Sequence, residues 1–138
     1  MGHLMRCLAL AHGWKSRGGQ TTFITRLGGE DVFQRLSEEG FQIVALERSH
    51  PDPTDWETTS QVLAAHSATW VVLDGYHFDH DYQRHVKDAG HHLLVIDDNA
   101  HLDEYYADVV LNQNSHALDL SYRCGLDTDL LLGSHYVL

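Results

Sequence analysis

Cysteine, proline and positive charge are scarce in this 138-residue chain: two cysteines, two prolines, and nine Lys and Arg against twenty Asp and Glu. Cys7 and Cys124 stand far apart with no Cys-x-x-Cys spacing, which excludes a disulfide framework and the common zinc patterns. The formal net charge of −11 excludes a nucleic-acid partner, because neutralising phosphates needs a basic stripe. A small anionic ligand stays open, since helix N-termini bind phosphate without net positive charge. The acidity is uneven: residues 1–48 carry six Lys/Arg against five Asp/Glu, and residues 49–138 carry three against fifteen. Long apolar runs are also missing. Nothing approaches the roughly 18 residues of a membrane span, so no membrane partner is expected. Leu4–Ala11 is broken by Arg6 and followed by Trp14 and Lys15, unlike a signal-peptide core. Arg6 also stands where a myristoylation signal on Gly2 would need Ser or Thr. A cytoplasmic protein is expected.

A chain of this length can bury roughly two-thirds of its unfolded surface, enough for one domain spanning 1–138. At 43% hydrophobic and 21% charged residues, its composition is that of a globular protein. Short apolar runs alternate with helical stretches. Residues 4–17 are apolar nearly all round, as in a helix buried on a sheet, and Gly18-Gly19 ends it. A β-prone run at 21–25 leads through Gly28-Gly29 to a helix at 31–39 closed by Gly40, then a strand at 41–46. Ser49–Asp55, with both prolines, reads as a loop, and Trp56–His66 as a helix. Trp70–Leu73 reads as a strand buried on both faces, hence part of a parallel sheet. Asp79 is placed to cap a helix ending at Ala89 before Gly90, with Arg84 and Asp88 paired at i,i+4. Leu93–Ile96 and Val109–Leu111 read as further strands with a short helix at 102–106 between them, and Leu130–Leu132 as a last strand or docking segment. The pattern predicts an α/β, Rossmann-like parallel sheet with helices on both faces, its first strand missing because a helix follows Gly2-His3 directly.

Each apolar run ends in polar residues: Asp74-Gly-Tyr-His-Phe-Asp79, Asp97-Asp98 and Asn112-Gln-Asn114. In an open parallel sheet ligands bind outside the carboxyl ends of the strands. Any one of these turns is equally well a strand-to-helix corner in which Asp caps amides and Gly supplies positive φ. Three together favour a site. Twelve histidines raise a metal centre as an alternative, but His91 and His92 are neighbours that point to opposite faces, and His80 and His85 fall on a helix's solvated side. No metal and no cofactor are expected. His3 stands at a helix N-terminus, where the macrodipole disfavours imidazolium and leaves a neutral ring able to act as a base; an exposed or capping histidine is the plainer reading. Arg6, one turn on, either addresses an anionic group or pairs with a carboxylate.

Residues Gly2–Ala11, Asp74–Asp79 with Tyr82-Gln83, Leu94–Asp98 with Ala100-His101, Ala107–Asn114, and Leu131–Gly133 with Tyr136 together make the chain resemble a family. It is the UDP-sugar hydrolases of pseudaminic acid biosynthesis, which cleave UDP-2,4-diacetamido-2,4,6-trideoxy-β-L-altropyranose, with the related spore-coat polysaccharide biosynthesis proteins. The resemblance implies the N-terminal, sugar-side half of a GT-B-like enzyme, its partner a complementary C-terminal UDP-binding domain. It implies His3 as the base that activates water against the anomeric carbon, with inversion and release of UDP. Tyr76 is implied as a sugar contact, and Gly2, Arg6, His77, Asp97, Asp98 and Asn112 as further substrate-binding positions. Alone, the chain is then expected to be inactive or weakly active. A sugar-binding or regulatory module without chemistry, and the acceptor domain of a GT-B glycosyltransferase, are the alternatives.

Overall fold

The computed structural model describes residues 2–26 and 30–138. The Gly28-Gly29 turn lies outside the described residues. The chain divides into two compact units, Met1–Ala65 and His66–Leu138. Their strands form two parallel sheets, where the sequence pattern predicts one, and no described strand pairs with both.

In the first unit helix α1 (Gly2–Lys15) leads to strand β1 (Thr22–Thr25), helix α2 (Glu30–Glu38), strand β2 (Gln42–Ala45) and helix α3 (Pro53–His66). β1 and β2 pair in parallel, Thr22 opposite Gln42 through Thr25 opposite Ala45. The core is Leu8 and Ala11 of α1 with Leu36 of α2 and Phe41, flanked by Leu4, Phe23, Val32 and Ile43. The expected burial of α1 against a sheet is met on one side: Leu4, Leu8 and Ala11 pack with Phe23 of β1 and Ile43 of β2, whereas Met5 and Trp14 stay exposed. α3 begins three residues before the predicted start. Pro53 takes a first-turn place where a missing N–H costs nothing, and Asp52 accepts the amide of Thr54 at 3.0 Å.

The second unit holds strand β3 (Trp70–Asp74), helix α4 (His80–Asp88), and strands β4 (His92–Ile96), β5 (Val109–Asn112) and β6 (Asp129–Leu132). They form one parallel sheet in the order β3-β4-β5-β6. Asp79 caps α4 as predicted, its Oδ1 accepting the Tyr82 amide at 2.9 Å, and the helix packs on β4 with Tyr82 and Val86 buried. Leu93, Val95 and Val110 are buried in the sheet. β3 departs from the prediction of burial on both faces: Val71 and Leu73 are buried, whereas Trp70 and Val72 are exposed. As the edge strand, β3 has a covered neighbour on one side only. Arg84 sits over the Tyr106 ring, 5.5 Å from its centroid, in place of the predicted pairing with Asp88.

The helix predicted at 102–106 does not form. That segment is held by longer-range partners: the Tyr105 amide donates to Arg123 O at 2.8 Å, and the Tyr106 amide to Oε1 of the buried Gln83 at 2.8 Å. Two 3-10 turns, Ser115–Asp119 and Ser134–Tyr136, follow β5 and β6. The whole is a Rossmann-like α/β chain of parallel sheets flanked by helices, and no helix among the described residues is long and apolar enough to cross a membrane.

Candidate functional site

At the carboxyl ends of β3, β4 and β5, the second unit gathers Tyr76, Asp97, Asp98, Asn112 and Asn114 into one hydrogen-bonded rim. Asp97, directly after β4, has a fully buried side chain that accepts on both oxygens. Its Oδ1 takes His101 Nδ1 at 2.8 Å, and its Oδ2 takes the amides of Asn99 (3.1 Å) and Ala100 (2.6 Å) and the Tyr122 hydroxyl (2.8 Å). A buried carboxylate requires this many donors, since an unpaired charge there costs several kcal/mol, of order 3–5. Asn112, wholly buried at the end of β5, donates through Nδ2 to the Tyr122 oxygen at 2.8 Å and accepts the Asn114 amide at 3.0 Å.

The backbone amide fixes the direction of every proton in this chain. Because Asn114 N–H can only donate, Asn112 Oδ1 faces it and Nδ2 faces Tyr122. The Tyr122 hydrogen then points to Asp97. Burial pushes the phenols of Tyr122 and Tyr105 well above their usual range; donation from Asn112 opposes this at Tyr122, and the bond to the Asp97 carboxylate reinforces it.

Asp98 and Tyr76 form the outer layer. The Tyr76 hydroxyl donates to Asp98 Oδ2 at 3.0 Å and accepts Asn99 Nδ2 at 3.4 Å, while Asn114 Nδ2 donates to Asp98 Oδ1 at 2.8 Å. Tyr76 is half exposed, and its ring meets the His101 imidazole edge-on at 5.5 Å. Of the residues singled out in the sequence, Tyr76 and Asp98 therefore present themselves at the surface, whereas Asp97 and Asn112 are spent inside and hold the others in place. His77 is exposed and lies against Phe78, ring centroids 4.0 Å apart. Its imidazole occupies the space of a side chain at Gly75: a Cβ there would come within 2.6 Å of His77 Cε1, at a φ of +157°. A side chain at Gly75 would therefore displace the exposed His77 ring.

In the first unit, His3 occupies the first turn of α1 and its Nδ1 lies 3.0 Å from an Arg6 guanidinium nitrogen. Arginine only donates, so Nδ1 accepts and the neutral ring carries its hydrogen on Nε2. Arg6 is buried and His3 exposed. At Gly2 an added Cβ meets nothing within 4 Å, so local packing does not demand glycine there.

His101, Asn99 and Tyr122 are rim residues that the site reading missed; for His101, an Asp four positions before a histidine, just after a strand, was the available signal. Two open concavities of the first unit, about 420 Å³ against Asp31, Arg35 and Glu39 and about 540 Å³ against Arg26, Arg48 and His50, contain none of the candidates. Among the described residues no group of three or more His, Cys, Asp or Glu converges as metal ligands. Compared with protein-family models and with curated proteins, the chain finds no match in either.

Proposed function

We propose that this chain is the sugar-side half of a GT-B-like nucleotide-sugar hydrolase, acting in the cytoplasm on a UDP-diacetamido-trideoxy-hexose. The observation that carries the reading is the rim of hydroxyls, amides and carboxylate at Tyr76, Asp98, Asn99 and Asn114. These groups suit the hydroxyls and acetamido groups of a saccharide: a carboxylate accepts from hydroxyls, and an exposed aromatic ring packs on the apolar face of a pyranose. Arg84 and Lys87, by contrast, are engaged at Tyr106 and Asp108. In this reading His3 is the base toward water and Arg6 addresses an anionic group of the substrate. A guanidinium drawn to a phosphate leaves His3 Nδ1, and the ring is then free to take a proton. Holding the diphosphate is the task of a complementary C-terminal domain, and positioning by both halves supplies roughly 7–11 kcal/mol of the barrier.

The test is UDP release from the UDP-sugar, measured with and without a C-terminal UDP-binding domain. Release is expected only, or far faster, with that domain present. Release undiminished in His3→Ala removes the base assignment. The Arg6–His3 bond favours one alternative, a sugar-binding module without chemistry, whose outcome is saccharide binding with no UDP release under either condition.

A further inference from the structure

Four properties combine at His101. Its Nδ1 bonds a carboxylate that is wholly buried, its side chain is 27% exposed, its ring abuts Tyr76, and the residue before it adopts a left-handed conformation. That residue is Ala100, with φ +51°, where an L side chain is strained by about 1–2 kcal/mol. Strain of this kind persists only where surrounding bonds over-determine the backbone, and here the 2.6 Å bond from the Ala100 amide to Asp97 does so. The corner turns His101 back onto the carboxylate that the same loop encircles.

The order of protons then sets the tautomer. The Asp97 carboxylate already accepts two amides and the Tyr122 hydroxyl, all of which point at it. His101 Nδ1 must therefore carry its hydrogen, and in the neutral ring the lone pair resides on Nε2. No second hydrogen bond of this ring is found among the described residues. Tyr76 and Tyr105 flank it edge-on, with centroids at 5.5 and 6.5 Å.

We propose that the Asp97–His101 pair presents Nε2 as a built hydrogen-bond acceptor for a hydroxyl of a neutral saccharide bound beside Tyr76 and Asp98. The substrate class rests on the nucleotide-sugar reading above; the acceptor rests on the geometry alone. An acceptor imidazole next to a carboxylate and an exposed phenol selects ligands with several donors on one face, which a pyranose offers and a diphosphate does not.

Long-range nitrogen–proton spectra of the labelled chain test both layers, with the His101 signals assigned by their loss in His101→Gln. The expected spectrum has His101 hydrogen on Nδ1 and an unprotonated Nε2 that shifts on titration with N-acetylglucosamine. His101→Asn places an amide where Nδ1 was, keeping a donor to Asp97 while deleting Nε2. It should retain the wild-type melting behaviour and lose about tenfold in affinity for that sugar, the effect of one hydrogen bond. His101 hydrogen on Nε2, a ring unmoved by the sugar, or undiminished affinity in His101→Asn overturns the proposal and leaves His101 a structural clasp. Sugar-dependent shifts without any UDP release preserve it and remove the hydrolase reading instead. UDP release with a His101 ring indifferent to sugar does the reverse.

Discussion

Two histidines, one in each unit, are held by their Nδ1 atoms at 3.0 and 2.8 Å, and the charge of the holder makes them chemical opposites. His3 meets a guanidinium, which can only donate, so its Nδ1 lone pair is occupied and its other nitrogen is a donor. His101 meets a carboxylate, which can only accept, so its Nδ1 is the donor and its other nitrogen keeps a lone pair. The same side chain at the same kind of distance is thus closed to one chemistry and open to another. Neither property belongs to histidine as a residue type, and the difference lies in a partner three or four positions away in sequence.

Breaking the second arrangement should have the largest effect. Asp97→Ala leaves two amides, a phenol and an imidazole without their acceptor, and urea unfolding should show a loss of about 3–5 kcal/mol. A loss below about 1 kcal/mol would mean that water already satisfies these donors. A cavity of similar cost is expected from Leu93→Ala in the core of the same sheet, about 2–5 kcal/mol by the same measurement, and it tests packing without touching a proton.

The amino-terminal edge of the same sheet offers a contrast in which charge, not tautomer, decides. There Asp108 accepts Lys87 Nζ and the Leu93 amide, both at 2.6 Å. Partial burial pulls its carboxyl upward, but the Lys87 bond, the amide and the nearby His92 outweigh that and hold it below the usual carboxylate range. Because the folded state binds the proton less readily than the unfolded one, this stabilisation is present above the unfolded pKa near 4. It disappears as pH falls through the still lower folded value. Asp108→Asn should therefore cost about 1–2 kcal/mol at pH 7, and the gap to wild type should close as pH drops below about 4 in chemical denaturation. A gap independent of pH would assign the effect to shape.

Smaller effects sharpen the comparison. Tyr76→Phe removes one half-exposed hydrogen bond to Asp98 and should cost no more than about 1 kcal/mol. Ala100→Gly relieves the left-handed strain at the corner while adding unfolded-state entropy, so stability should change by less than about 1 kcal/mol with the His101 tautomer intact in nitrogen spectra.

Local chemistry made much of this fold legible. Gly18, Gly40 and Gly90 each end a helix with φ between +76° and +87°, and amides from the following turn return to the last carbonyls. Asp79 caps α4 as its position before a helical pattern implies. What failed was whatever depends on distant partners. The segment 102–106 has helical composition, yet Arg123 and Gln83 take its amides. Trp70 and Val72 look like interior residues, yet strand order puts β3 at an edge. The division of the strands into two sheets is a matter of pairing, which no periodicity encodes. At the candidate site, members of the polar clusters at the strand ends do converge on one edge, but which of them face outward depends on Tyr122, a residue with no pattern to announce it.

The phenol of Tyr122 also gives the molecule an internal optical gauge. Enclosed beside a carboxylate that would repel its phenolate, it resists ionisation, as does Tyr105 at a ring distance of 5.3 Å. In an alkaline absorbance titration these two rings should lag behind any surface phenol and surrender their protons together, when the enclosure itself collapses. Their late, joint step in the ultraviolet reads the integrity of the rim without label or ligand.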